Sequence, residues 1–182
     1  LYFTRIAPPE IQYLTTATAR GEQKTITLPD GSVVRLNAES SITFPQQLAG
    51  LDSRSIQLSG EAFFEVTADE TKPFIIHSED LITTVVGTTF NVRAYPEDET
   101  IAVTVATGKV RIATSADQHT ETATEVLSPG EQGLYDKRSA RIARTQVKVE
   151  RYLAWKDGTI LLEGASLQEA TDILSRWYNA EF

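Results

Sequence analysis

Between residues 21 and 150, short segments alternate polar and apolar positions, and each ends at a cluster of turn-forming residues. An alternation with a period of two is typical of a β-strand that buries one face. Residues 25–28 and 33–36 are the first such pair, and the sequence PDGS at 29–32 separates them. Because Pro and Gly at these positions favour a tight turn, the pattern predicts a β-hairpin here.

The same pattern continues along the chain, and no helix is predicted before residue 160. Gly60, Gly87, Gly108 and Gly130 recur at intervals of 21 to 27 residues and are interpreted as turns between β layers. The fold class is therefore predicted to be mainly β, as a layered β-sandwich or a short β-solenoid-like domain. Further strands are predicted at 42–44, 54–66, 74–77, 82–86, 90–95, 101–105, 110–112, from 127, and at 133–135.

The C-terminal residues 151–182 have a different pattern, which predicts a strand at 159–162 followed by a helix. Ser166 and Glu169 have the spacing of a capping box, in which each side chain satisfies a free backbone donor at the start of a helix. Asn179 is the expected C-terminal cap. The apolar positions that follow share one helix face: Leu167, Ala170, Ile173, Leu174, Trp177 and Tyr178.

This βα unit is expected to be the start of a small α/β domain that is truncated at residue 182. One strand and one helix cannot bury that apolar face alone, so the helix either folds back on the β domain or belongs to the second domain. We therefore divide the chain into a tether at 1–20, a β domain at 21–150 and the βα unit at 151–182. Pro8 and Pro9 disfavour regular structure in the tether.

Composition excludes several kinds of site. The chain has 182 residues, a net charge of −8, no Cys and only two His, which removes thiol chemistry and Cys-based zinc sites. The negative charge argues against nucleic acid as a partner. No apolar run is long enough to cross a membrane. One segment is basic, however, and 137–151 holds Lys137, Arg138, Arg141, Arg144, Lys148 and Arg151.

The only carboxylate pair that invites a catalytic interpretation is Glu61 and Glu65. In a regular strand they lie about 13 Å apart on one face, since each residue adds about 3.3 Å. Glycosidase pairs need about 5–9.5 Å between carboxyl groups. His77 is expected to be a strand residue and His119 a solvated loop residue. We therefore predict no enzymatic activity, no cofactor and no metal site.

Several linked motifs between residues 20 and 136 carry a more specific signal. The motifs are GExKxIxLPDGSxVxLNAxS at 21–40, RxIxLxGEAFFEV at 54–66, KPF at 72–74, VGTTFNVxAY at 86–95, GKV at 108–110 and LxPGEQ at 127–132. Their order resembles that of the FecR family. The tail motifs WKDG at 155–158 and RWYN at 176–179 resemble the start of the secretin/TonB short N-terminal domain that follows in many members.

The resemblance implies a sigma-factor regulator, or anti-sigma factor, of the inner membrane of a Gram-negative bacterium. In such a protein a cytoplasmic segment holds an extracytoplasmic-function sigma factor, and one transmembrane helix follows. The periplasmic part senses the signalling domain of a TonB-dependent outer-membrane transporter. The chain would be that periplasmic part, with the cytoplasmic segment and the membrane helix outside it. Asp30, Asn37 and Asn91 are expected to bond backbone groups at corners.

Two surfaces are candidates for docking the transporter domain. The first is the strand at Thr159, Ile160, Leu161 and Leu162, which could accept a partner strand. The second is the basic run, with Arg141, Arg144 and Lys148, as a patch for an acidic partner. The same run is also interpreted as a solvated edge strand protected by charges. The alternative function is a carbohydrate-binding β module, for which Tyr95, Tyr135 and Tyr152 are the available aromatic residues.

Overall fold

The structure is a computed structural model that describes residues 11–48, 50–115 and 123–181. Of these residues 46% lie in strands and 13% in helices, which confirms the mainly β prediction. The predictions for Pro8, Pro9 and His119 lie outside the described residues. Among the described residues, no helix is long and apolar enough to span a bilayer.

Apart from the first strand, which lies in the predicted tether, the described strands follow the predicted order. They are β1 (Tyr13–Ala17), β2 (Lys24–Thr27), β3 (Val33–Leu36), β4 (Ser41–Pro45), β5 (Arg54–Glu65), β6 (Phe74–Ser78), β7 (Leu81–Val85), β8 (Thr89–Ala94), β9 (Thr100–Thr107), β10 (Val110–Thr114), β11 (Thr124–Leu127), β12 (Glu131–Asp136) and β13 (Arg141–Gln146). Two helices follow, α1 (Val149–Leu153) and α2 (Leu167–Tyr178), with a 3₁₀ turn at Ala154–Asp157 between them.

The strands form two sheets that share β5. Sheet A has the order β1-β4-β5-β6-β7-β10-β11, and sheet B has the order β2-β3-β5-β8-β9-β12-β13. Among the described strands, β5 and β6 are the one parallel pair, and the other pairings are antiparallel. This pairing fits a layered sandwich, because a β-solenoid would stack successive strands in parallel.

The core lies between the two sheets, on one face of every long strand. Phe64 stands at its centre, stacked on Phe90 with ring centroids 5.2 Å apart and edge-on to Phe74 at 6.2 Å. All three side chains are fully buried. Burying an aromatic side chain of this size stabilises the fold by about 1.5–3 kcal/mol. The polar–apolar alternation in the sequence therefore predicts the inner face of each sheet correctly.

Strand β5 passes from one sheet to the other at Gly60. Ser59 pairs with Ser41 of sheet A, whereas Gly60 itself pairs with Ala94 of sheet B. The prediction that Gly60 forms a turn is wrong, because it lies inside a 12-residue strand. Its positive φ of 94° bends that strand at the sheet junction, where the turn between β3 and β4 also passes. Glycine is needed there because a side chain would be strained in this conformation.

The N-terminal segment is more ordered than the predicted tether. Tyr13–Ala17 form β1, which pairs in register with β4 at the edge of sheet A. Thr18 is buried and donates from Oγ1 to the carbonyl of Asn37 at 2.6 Å. The tether prediction is therefore wrong for these residues, because hydrogen bonds to β4 compensate for the weak alternation in the segment.

The C-terminal helix begins and ends where the sequence predicts. Ser166 and Glu169 form the capping box, and Asn179 caps the other end in the left-handed region with φ of 50°. The strand predicted at 159–162 is wrong, because these residues form an irregular connection after Gly158. Their backbone is held by local bonds, such as the 3.1 Å bond from Thr159 N to Ala154 O, and pairs with no described strand.

The absence of helix before residue 160 is also a wrong prediction, since α1 and the 3₁₀ turn occupy residues 149–157. These short helical elements cover the outer face of sheet B. Leu153 and Trp155 pack on Phe63, and Trp177 of α2 joins the same cluster. The helical segment, residues 149–178, therefore folds back on the β domain. Its assignment to a second small α/β domain stays a prediction.

Candidate functional site

The outer face of sheet B carries polar side chains that the helical segment covers. Successive strand residues point to opposite faces, so Phe64 and Val92 enter the core while Glu61, Asn91 and Arg93 point outward. An outward position on a sheet is ordinarily solvated. Here Glu61 is only 6% exposed and Asn91 is buried, so this polar group is part of a second, covered layer.

Glu61 is the centre of a buried hydrogen-bond network. Its two carboxylate oxygens accept from the side-chain amides of Asn37 and Asn91, each at 2.9 Å. The Arg93 guanidinium lies 3.8 Å from the same carboxylate. Trp155 Nε1 donates to the Asn91 carbonyl oxygen at 3.1 Å, which links the network to the helical segment. The network satisfies the polar groups that burial would otherwise penalise.

This network corrects the roles expected for the two asparagines. Asn37 accepts from the backbone N–H of Ala38 at 2.9 Å, as a corner residue does, but its amide serves Glu61. Asn91 lies inside β8 and bonds Glu61 and Trp155 instead of backbone. Asp30 does cap a backbone donor, at Ser32, as the sequence predicts.

A second cluster lies beside the network and holds α2. Glu39, from the turn between β3 and β4, joins Tyr95, Glu97 and Asp98, from the loop after β8, and we call these four residues the arginine pocket. Arg176 of α2 enters it and contacts Glu97 at 2.7 Å, Asp98 at 3.3 Å and Glu39 at 3.7 Å. Its guanidinium carbon lies 4.0 Å from the centroid of the Tyr95 ring.

The surroundings shift the pKa of several of these groups. Burial raises the pKa of the Tyr95 phenol, whose hydroxyl donates to the Ala38 carbonyl at 2.8 Å. Burial alone would lower the pKa of Arg93, but the Glu61 and Asp98 carboxylates outweigh it and raise that pKa. Tyr95 therefore stays neutral and acts as a hydrogen-bond donor, and Arg93 stays positively charged.

A cavity of about 930 Å³ lies between part of the outer face of sheet B, the connection that follows Gly158, and α2. The outer side chains of β5 and β8 form its floor, and α2 forms one wall. Thr159, Ile160 and Leu161 also line it. Two of the three, Thr159 and Leu161, are exposed, and Leu162 is half-buried. The four predicted docking residues are thus exposed or partly exposed, and the first three lie at the cavity, although they form no strand.

The basic residues predicted to dock a partner lie on and after β13, the edge strand of sheet B. Arg141 and Arg144 are three residues apart, so they point to opposite faces of the strand. Arg144 reaches across to β11, where it lies 4.0 Å from Glu125 and donates to the Val126 carbonyl at 3.3 Å. Lys148 is exposed immediately before α1. The structure therefore does not bring these three residues into one patch.

Half of the basic run already has acidic partners within the chain. Lys137 contacts Glu79 at 2.7 Å, and Arg138 pairs with Glu99. Arg144 lies near two carboxylates. β13 is an edge strand, as one of the two interpretations predicts, whereas a protective role of its charges stays a prediction. Among the residues of the run without an ion pair in the described chain, Arg141 is the one on the strand itself.

The other predicted chemistry does not assemble. Glu65 is exposed while Glu61 is buried four residues earlier on β5, so the two carboxylates do not converge. Tyr95 and Tyr135 are both buried, so they cannot form an exposed aromatic face with Tyr152 for a sugar ring. In the part of the chain that the structure describes, no group of three or more His, Asp or Glu could hold a metal ion.

Sequence reasoning missed Arg93 and Arg176 as members of the site. The sequence contains a signal for both residues. Arg93 occupies an outward-facing position of a predicted strand, and Arg176 lies beside the apolar face of a predicted helix. Trp155 and Trp177 indicate that something large and apolar covers a neighbouring surface. What no pattern shows is that these residues meet, since Arg176 and Glu97 are 79 positions apart.

Comparison with known proteins gives a consistent result. The family model described as FecR protein matches residues 14–111. Two crystal structures of a protein described as an anti-sigma factor from Parabacteroides distasonis ATCC 8503 are similar along most of the chain. One has 34% identity and a TM-score of 0.85 and covers 93% of this chain and 76% of that one. The other has 34% identity, a TM-score of 0.84 and coverage of 92% and 76%. No curated protein matches.

Proposed function

We propose that this chain, which belongs to the FecR family, is the periplasmic signalling part of an inner-membrane anti-sigma factor. In this role it senses the signalling domain of a TonB-dependent outer-membrane transporter and controls an extracytoplasmic-function sigma factor through a cytoplasmic segment. The function is protein–protein recognition and involves no catalysis and no cofactor.

The observation that carries this proposal is the similarity to a protein described as an anti-sigma factor, which extends over nearly the whole chain. The geometry supports a binding role as well. Glu61, the buried carboxylate of the motif GEAFFEV, has both oxygens engaged by the side-chain amides of Asn37 and Asn91. The motif residues thus build the module, and its exposed edges are left for recognition.

The docking surface is proposed at the β13 edge and the irregular connection that follows α1. One side of β13 has no strand partner among the described residues, so its backbone groups can accept a partner strand. Arg141 and Lys148 add exposed positive charge beside this edge, which favours an acidic segment. Thr159, Ile160, Leu161 and Leu162 form the second part of the proposed surface.

The experiment is a calorimetric titration of the chain with the signalling domain of its transporter. Arg141→Glu is expected to weaken binding at least fivefold, because it reverses the one charge on β13 that has no ion pair among the described residues. Lys24→Glu is the matched control, since Lys24 is exposed on β2, at the opposite edge of sheet B. Equal effects of the two reversals would refute docking at β13.

A reporter for sigma-dependent transcription tests the wider role. Deleting residues 11–181 from the full-length regulator is expected to abolish the response to the transporter's ligand. A response that persists at its normal amplitude would refute the sensing role. This result is independent of which edge of the module binds the partner.

A further inference from the structure

Helix α2 is attached to the β domain through its last turn. Arg176 and Trp177 make its contacts with sheet B, and the backbone N–H of Gly21 donates to the Arg176 carbonyl at 2.7 Å. At the other end, the first turn of α2 is open to solvent, since Leu167 is 86% exposed. In the last turn the Tyr178 side chain is itself 63% exposed. The cavity of about 930 Å³ lies beside the helix, and Trp177 is the α2 residue that packs on the apolar cluster of Phe63, Leu153 and Trp155.

The arginine pocket is built entirely by the β domain and is suited to a guanidinium. It offers three carboxylates and the face of one aromatic ring, which together recognise arginine better than lysine. Arg20 pairs with Glu39 at 2.7 Å and Arg93 with Asp98 at 2.8 Å. Two arginines therefore leave one negative charge in the pocket, and Arg176 neutralises it.

Two features weaken the contact by which Arg176 holds α2 on the β domain. The Nη1 atom of Arg176 is buried without a hydrogen-bond acceptor among the described residues, which subtracts from what its other contacts contribute. Glu97, its nearest carboxylate, has a side chain that is 55% exposed, and solvent weakens that ion pair. Displacing the helix would therefore exchange one arginine for another in a preformed site, and it would remove the contact of Trp177 with the apolar cluster on sheet B.

We propose that α2 is a displaceable latch held by Arg176, and that the arginine pocket binds an arginine from a partner protein when α2 leaves. The pocket then serves as an interaction site on the β domain, separate from the β13 edge. Displacement also uncovers Phe63 and Trp155, which would extend the contact with the partner. None of the measurements below requires a transporter or a sigma factor, so they test this inference independently of the proposed function.

The first test removes Arg176 and replaces its guanidinium. In Arg176→Ala, amide exchange of α2 is expected to accelerate about tenfold or more, because charge-assisted hydrogen bonds are lost. Exchange in β5 and β8 should not change, which shows that the fold persists. Methylguanidinium is the probe, and it should bind Arg176→Ala saturably and bind the unaltered chain at least tenfold more weakly, because Arg176 competes for the pocket. Arg20→Ala, which removes the other partner of Glu39, should leave α2 protected.

The second test locks the latch. A Cβ built on Gly21 lies 3.7 Å from Asn179 Cβ, within the range for a disulfide, and the chain has no other Cys. In the unaltered chain, N-acetyl-arginine amide at high millimolar concentration should deprotect α2, whereas the neutral citrulline analogue should not. The oxidised Gly21→Cys/Asn179→Cys chain should resist both compounds.

Three results would overturn the proposal. The first is α2 exchange in Arg176→Ala that equals that of the unaltered chain, and the second is no methylguanidinium binding to that variant. The third is an equal effect of the arginine and citrulline compounds, which would show that no guanidinium is recognised. If Arg176→Ala loses protection in β8 as well, Arg176→Lys is measured in its place. It is expected to show an intermediate exchange rate, and a rate equal to that of the unaltered chain would refute the need for a guanidinium.

Discussion

Replacing Gly60 by Ala tests whether the passage of β5 between the two sheets needs glycine. Gly60 has a φ of 94°, and a Cβ built there lies 2.7 Å from Ser40 Cα and 2.8 Å from the Glu39 carbonyl oxygen. Both neighbours are backbone atoms of the turn between β3 and β4, which packs against the junction. Because backbone cannot rotate away as a side chain can, the new methyl group must displace the turn or the strand.

The magnitude is the sum of two effects. A non-glycine residue at positive φ costs about 1–2 kcal/mol, and overpacking a tight site costs about 1–3 kcal/mol more. The free energy of unfolding should therefore fall by about 2–5 kcal/mol. For a chain of this size each 1 kcal/mol lowers Tm by about 2–4 °C. Gly158→Ala is the matched control, since Gly158 has a φ of 79° and open space around its Cβ position.

Urea denaturation followed by circular dichroism measures both free energies, and a thermal scan gives the two Tm values. Gly158→Ala should lose only the conformational part, about 1–2 kcal/mol. An equal loss in the two variants would refute the reasoning, because it would show that the contact with the β3–β4 turn contributes nothing.

Three further outcomes are expected. Glu61→Gln should lower the free energy of unfolding by about 2–3 kcal/mol, since one buried amide loses its acceptor. The exposed Glu65→Gln should stay within about 0.5 kcal/mol of the unaltered chain in urea denaturation, and similar values for the two variants would contradict the network. In the same assay Arg54→Ala should lower the free energy of unfolding by about 3–5 kcal/mol, because it breaks a buried ion pair. Exposed Arg138→Ala should lower it by less than about 1 kcal/mol, and an equally small loss for Arg54→Ala would be inconsistent with the burial of Arg54. Backbone and side-chain hydrogen bonds at the helix N-cap lower the pKa of Glu169 below its ordinary 4.5, so its contribution to α2 is complete above that pH and is lost as the pH falls through the lowered pKa. Helical circular dichroism should decrease in that acid range, and an identical acid transition in Glu169→Gln would refute this assignment.

Local patterns were sufficient for the elements whose cause is local. Strand β3 is predicted at its observed bounds because alternating polar and apolar residues need only one covered face. Ser166 and Glu169 identify the start of α2 because a capping box satisfies donors within one turn of the chain. The inner positions of Phe64 and Phe90 follow from the same alternation, and with them the mainly β fold class.

Patterns failed where distant residues supply the stabilisation. Residues 159–162 are apolar enough for a strand, but they pair with no strand among the described residues. Gly60 was interpreted as a turn, since nothing local shows that one strand is shared by two sheets. The short helix α1 has no side-chain cap, and contact of Leu153 with Phe63 stabilises it instead.

The candidate site shows the same division. The sequence by itself determined that Glu61 and Arg93 lie on the face opposite the core, because strand periodicity decides it. Only the tertiary structure decided that this face is covered, that Glu61 is bonded by two amides, and that Arg176 enters a pocket of three carboxylates. The physical reason is that burial and charge pairing depend on which segments meet, and the chain brings Arg176 to Asp98 across 78 positions.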